Sequence, residues 1–409
     1  MLDQSILARY ARAVVSSCLR VRDSDPVAIH AEPAHLPLVE ALTEAAYAVG
    51  ARFVDVMLVD PRVRRARLRF ASEDGLGYQP AWHDQRMRRL IVDRAALISI
   101  NAPAEPDVMA DTDPARGARE RSSRIPGVGV YLRAVQRAQL RFCVITWPLD
   151  GWSTTAYPDL SPAEATRLVA IDLAHFCRIG PGDGDGTAAW DRHLATLVRR
   201  AETLSDLQLD RIELRGPGTD LSVGLVDGGR FLAAEETTAF GDRYCANLPT
   251  EEVFTSPDPR RTEGTFRCTR PLTLEGRRMT GIHGRFRRGR IVEVGADRAS
   301  DQAFLTGYLE RDRGAARLGE LALVDSTSRI GQSGRTYGIT LLDENAVCHI
   351  AFGAGFAVAR TPGRGTAVNG SSIHTDVMIG APEIEVTGHR RDGSAVPLII
   401  DGVWASALR

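Results

Sequence analysis

The chain contains no lysine. All 51 of its basic residues are arginine, which excludes a pyridoxal Schiff base, a phosphate-loop lysine and a Ser-Lys dyad. Whatever chemistry the protein performs must use carboxylates, imidazoles, thiols, hydroxyls or a cofactor. Long apolar runs are missing too. Residues 1–20 form an amphipathic stretch broken by Arg9 and Arg12, not the continuous core of a secretory leader, and no segment approaches a membrane span. The cysteines are six and dispersed, Cys18, Cys143, Cys177, Cys245, Cys268 and Cys348, with no Cys-x-x-Cys pair. Such spacing suits small buried thiols in a reducing cytoplasm rather than a disulfide framework. A net charge of -1 with scattered arginines leaves no basic face for nucleic acid or an anionic membrane. No Gly-x-Ser-x-Gly elbow occurs, and Gly127-Val128-Gly129 lacks the third glycine of a dinucleotide loop.

What is present is enough for two domains: 409 residues, 44% of them hydrophobic. Residues 26–30 read as a strand, 36–49 as a helix closed by Gly50, and 51–59 as a second strand, the signature of a crossover unit and a parallel sheet. An arginine-studded helix at 61–70, strands at 96–100 and 140–146, and helices at 130–137, 161–177 and 188–204 continue the pattern. The acidic glycine loop at 180–186 lacks the spaced oxygens and terminal Glu of a calcium loop and reads as a connector. His30, His35, His83, His175 and His193 lie far apart and read as structural or surface histidines. After Asp210 the text turns to alternating residues and tight turns, interrupted by a helix at 300–311. The expectation is an N-terminal α/β domain with a parallel sheet over 1–205, and an α+β, sheet-rich domain over 206–409.

Ionisable residues then gather in apolar text. Glu320 interrupts Leu318-Gly319-Glu320-Leu321-Ala322-Leu323-Val324. Glu344 and His349 follow Asp343, read as a helix N-cap. His374 and Asp376, two apart on a strand, point the same way and can grip one ion. Burying so many charges requires compensation, which a pair of divalent cations would provide. Taken singly the residues have plainer readings: Glu252 as an exposed loop acid, His349 as a satisfied core histidine, His374 and Asp376 as a hydrogen-bonded pair. A mixed carboxylate and imidazole set suits zinc, manganese, cobalt or iron(II).

Four ordered motifs carry a resemblance: Asn-Leu-Pro-Thr-Glu-Glu-Val-Phe-Thr-Ser-Pro from Asn247, Arg-Leu-Gly-Glu-Leu-Ala-Leu-Val from Arg317, Leu-Leu-Asp-Glu-Asn-Ala from Leu341 with His349, and Ser-Ile-His-Thr-Asp-Val-Met-Ile-Gly from Ser372. Together they resemble the thermophilic-type metalloaminopeptidases, the group of aminopeptidases T, S and II, and the likeness runs over nearly the whole chain. It implies a homodimeric, cytoplasmic hydrolase acting on a small peptide or amide. It also implies two divalent ions, zinc foremost, held by Glu252, Glu320, His349, His374 and Asp376. Glu344 would be a further ligand or a proton shuttle.

One departure stands out. The family places a tyrosine seven residues after the first histidine of the site, where this chain has Phe356. The segment from there to His374 looks shorter than usual, and Val377 replaces a commoner aromatic. The expectation is a specialised substrate, contacted by Phe356. Two alternatives stand beside it: a non-haem iron(II) ring-cleaving dioxygenase on the same fold, and a non-catalytic relative.

Overall fold

A computed structural model describes residues 4–180, 182–183, 186–275, 277–361 and 367–409. Of the acidic glycine loop, Pro181, Gly184 and Asp185 therefore lie outside the described residues, as do 362–366 in the segment that looked short. The chain forms two units: Met1–Arg192 together with Glu235–Pro249, and His193–Ala234 together with Thr250–Arg409. The return of 235–249 carries no compositional mark. A boundary drawn from texture near 205 therefore sees one crossing where the chain makes three.

In the first unit, β1 (Pro26–Ala31), β2 (Phe53–Leu58), β3 (Ala96–Ile100) and β4 (Arg141–Ile145) form a parallel sheet in the order β4-β3-β1-β2. Asn247–Leu248 adds a fifth parallel strand beside β4. The buried Tyr10 hydroxyl donates to the Thr146 and Leu248 carbonyls at 2.9 and 3.3 Å, tying that late strand to its neighbour. The helix at Pro162–Phe176 starts as its sequence requires, with Ser161 and Glu164 forming a reciprocal capping box.

The second unit is sheet-rich. Its larger sheet has eight strands, with Thr219–Leu225 and Pro257–Arg267 near the centre. The smaller sheet contains β5 (Leu232–Ala233), β6 (Val253–Thr255), β7 (Leu318–Leu323), β8 (His349–Gly353) and β9 (His374–Met378), antiparallel in the order β9-β8-β7-β6-β5. Val253, Leu321, Leu323, Ile350, Phe352 and Val377 of this sheet share one core with Leu221, Val223, Phe266 and Phe286 of the larger one. No helix among the described residues is long and apolar enough to cross a membrane.

His35 has a structural role in the first unit. Its Nδ1 accepts the Glu32 backbone N–H at 3.2 Å in a capping box, and burial lowers its pKa to about 4. An imidazole neutral when folded but near 6.5 when unfolded contributes stability that is present above 6.5 and lost as pH falls toward 4. Replacing it with glutamine, the usual partner in this motif, should flatten the fall of the melting temperature between pH 6.5 and 4 by several degrees. Thermal unfolding followed by circular dichroism at stepped pH reads this directly.

Candidate metal centre

Register decides which residues share a face of the smaller sheet, because cross-strand partners lie on one side and alternate residues return to it. Glu320 pairs with Ala351 and Ala351 with Asp376; Ala322 pairs with both His349 and Phe254; Gly353 pairs with His374. One face therefore carries Phe254, Glu320, His349, His374 and Asp376, opposite the face packed into the core. Glu252 stands just ahead of β6, two residues before Phe254.

Glu320 reaches that face because the ladder slips at Gly319. Leu318 pairs with Phe352 and Glu320 with Ala351, so two steps along β7 match one along β8. A regular ladder would set Glu320 opposite Ile350, in the core. A Cβ at 319 would stand 2.1 Å from the Ala354 carbonyl oxygen, so only glycine permits this approach.

The side chains meet in two overlapping sets. The ligand atoms of Glu252, Glu320 and His349 lie within 4.8 Å of one another, as do those of Glu320, His374 and Asp376. Glu320 belongs to both. His349 Nε2 is 3.1 Å from Glu252 Oε2, and His374 Nε2 is 3.1 Å from Glu320 Oε2 and 3.3 Å from Asp376 Oδ1. Each imidazole turns its other nitrogen to a carbonyl, His374 Nδ1 to Ala354 at 2.8 Å and His349 Nδ1, more loosely, to Val347 at 3.4 Å. A carbonyl only accepts, so Nδ1 carries the proton and Nε2 faces the carboxylates, as in a ligating histidine.

Electrostatics point the same way. Burial drives the Glu320 carboxyl up to about 7, and the Glu252 and Asp376 charges add to the rise against the pull of His374. Burial, then Asp376 and Glu252, pushes Glu344 well above the carboxylate range. For His349 burial works downward, but the Glu252 carboxylate outweighs it and raises the imidazole to about 10. Glu252 Oε2 is buried without a hydrogen-bond partner despite its closeness to His349. A buried, unpartnered carboxylate oxygen 3.1 Å from an imidazole nitrogen suits a pair of ligands to a shared cation. The donors are all oxygen and nitrogen, which fits zinc, manganese, cobalt or iron(II). Cys348 is turned away, its thiol donating to the Val324 carbonyl at 3.2 Å.

Around this centre, Phe356 sets its ring edge-on to His374 with centroids 5.2 Å apart, and 5.1 Å from Phe254. Asp343 requires a correction. It does not cap a helix carrying Glu344 and His349: its carboxylate accepts the Tyr337 and Gly338 N–H groups at 2.9 and 2.8 Å and pairs with Arg270. Glu344 sits in a short 3-10 turn, Glu344–Ala346, and His349 begins a strand.

The profile of the thermophilic metalloprotease family, M29, matches residues 3–404. The chain belongs to that family. Aminopeptidase T of Thermus thermophilus is 34% identical to it over 405 residues, covering 97% of this chain and 98% of the relative. Aminopeptidase PepS of Streptococcus thermophilus is 30% identical over 412 residues, 97% of each. The solved structure of wild-type AmpT from T. thermophilus matches with a TM-score of 0.90 at 32% identity, covering 98% of this chain and 99% of that one. A 2,5-dihydroxypyridine dioxygenase from Pseudomonas putida matches over 99% of both chains with a TM-score of 0.54 at 15% identity, a likeness of fold alone.

Gly319 carries one signal in the sequence of this M29 chain, a glycine inside an otherwise buried strand. His193, read as a structural or surface histidine, has a structural contact ahead of Glu252, its Nε2 lying 2.8 Å from the Thr250 carbonyl. Because Glu320 stands in both donor sets and His349 in one, Glu320→Gln should lower metal uptake further than His349→Ala does. Metal content after dialysis, measured by plasma mass spectrometry, separates the two variants.

Proposed function

We propose that the protein is a metal-dependent aminopeptidase that removes an N-terminal residue from a peptide or small amide using two divalent cations, zinc before cobalt, manganese or iron. The observation that carries this reading is the place of Glu320 in two donor sets at once. Glu252, Glu320 and His349 would hold one ion, and Glu320, His374 and Asp376 would hold the other. Bound there, the cations would lower the pKa of a shared water, polarise the scissile carbonyl and engage the free amine of the substrate. Glu344 is the proton shuttle: a buried carboxylate near both sets, it takes the proton of the attacking water and passes it to the leaving amine. The aminopeptidase names of the relatives support the substrate class. A dioxygenase with a mononuclear site of two histidines and one aspartate would leave Glu252 and Glu320 without a role.

Phe356 makes the enzyme a specialist. Its ring borders His374, where a tyrosine hydroxyl would otherwise be available to the developing oxyanion. A homodimer belongs to the same reading, and the exposed Phe53, Phe70, Tyr78 and Trp82 of the first unit are the kind of surface it would cover. So does a cytoplasmic setting, which suits six buried cysteines with no disulfide among the described residues.

Hydrolysis of leucyl anilide should depend on added metal, and Glu344→Gln should lower kcat by about 10²–10⁴-fold with metal content unchanged. Absence of metal-dependent release from every aminoacyl anilide tried would sink the reading. Phe356→Tyr should raise turnover about a hundredfold, and no gain would retire the hydroxyl explanation.

A further inference from the structure

Asn345 belongs to neither donor set, yet it touches the segments that carry Glu252 and Glu344. Its side chain is wholly buried. Oδ1 accepts the Glu251 backbone N–H at 2.7 Å, and Nδ2 donates to the Leu341 carbonyl at 3.0 Å and, at the limit of contact, to Glu344 Oε1 at 3.5 Å. The amide cannot be turned over: a backbone N–H only donates and a backbone carbonyl only accepts, so both ends fix one orientation. Its own carbonyl is held in turn by the Ser328 hydroxyl at 2.7 Å.

We propose that Asn345 is a positioning residue that sets Glu252 and Glu344 relative to each other. Glu252 follows immediately the residue whose N–H is held, and Glu344 immediately precedes Asn345. One planar amide thus spans two segments that are 94 residues apart. The loop at 250–252 has no ladder of its own before β6 begins at Val253, so its conformation depends on side-chain anchors. Asn345 and His193 are the anchors on either side of Thr250–Glu251. None of these bonds reaches β9, which bears His374 and Asp376. The inference rests on the two-ion reading above and adds an asymmetry to it: loss of the Asn345 amide should loosen the ion held by Glu252 and His349 and spare the one held by His374 and Asp376.

The test uses full-length protein carrying Asn345→Ala, with Asn345→Leu in its place should the alanine variant not fold, and Asn345→Asp, which keeps an acceptor for the Glu251 N–H. In metal-free protein, hydrogen exchange at the Glu251 amide should accelerate about tenfold or more in the alanine variant while the amides of β8 and β9 keep their protection. In cobalt titrations followed by absorption, one site should weaken by about 10–100-fold and the other should be unchanged. Asn345→Asp, which keeps the acceptor but loses the donor to the Leu341 carbonyl, should restore the Glu251 protection. The proposal is overturned if the alanine variant leaves exchange and both cobalt affinities unaltered. It is equally overturned if both sites weaken by the same factor with exchange rising across the sheet, or if the Glu251 amide of the aspartate variant exchanges as fast as that of the alanine one. Should the parent protein take up no cobalt, the two-ion reading fails, and the exchange measurement decides the positioning role by itself.

Discussion

The organising constraint of the second unit is the repulsion among ionisable side chains that one sheet face brings together. Glu252, Glu320 and Glu344 are each no more than 8% exposed, and Asp376 joins them. For the three glutamates, mutual charge and dehydration are little relieved by water. Two imidazoles relieve part of it. The remainder is what divalent cations would neutralise, and in their absence burial and the neighbouring charges favour the protonated form of Glu320 and Glu344. The fold tolerates this because the opposite face of the same sheet is unbroken core, so the backbone beneath the charges is held rigidly by apolar packing.

Rigid placement matters because ligands drawn from four separated segments must agree closely in position. Antiparallel register supplies most of that agreement without local help: once β7, β8 and β9 pair, His349, His374 and Asp376 necessarily share a side. Glu320 does not follow from pairing alone. It needs a one-residue slip, and that slip needs glycine at 319. Such particulars matter because a shared architecture, like the fold this chain has in common with a dioxygenase, supports unrelated chemistries through the side chains grafted on it.

Where sequence reading went astray, the cause was a missing local signal. The helix Ala81–Val92 buries no residue fully, and its apolar side is short, with Leu90 and Ile91 partly buried against a small core cluster. The helix Pro114–Gln136 extends well ahead of the expected start at 130, since Pro126, Gly127 and Gly129 argue against helix and are overridden by context. Asp343 looked like a cap because an acid before a short apolar stretch usually is one. Here the partners of its carboxylate are backbone groups and an arginine upstream, which spacing cannot reveal.

The sequence by itself determined the chemistry that is available and the elements that carry it. A chain without lysine, with acids and imidazoles embedded in strand-like apolar text, is restricted to carboxylate and histidine chemistry, and period-two spacing put His374 with Asp376. Only the tertiary structure decided that Glu320 stands in two donor sets, that Asn345 bridges the Glu252 loop to the Glu344 turn, and that residues 235–249 return to complete the first sheet. These are contacts between segments far apart in the chain. Local propensity and periodicity are properties of neighbours, and they hold no information about which distant strand a ladder will choose or where it will slip.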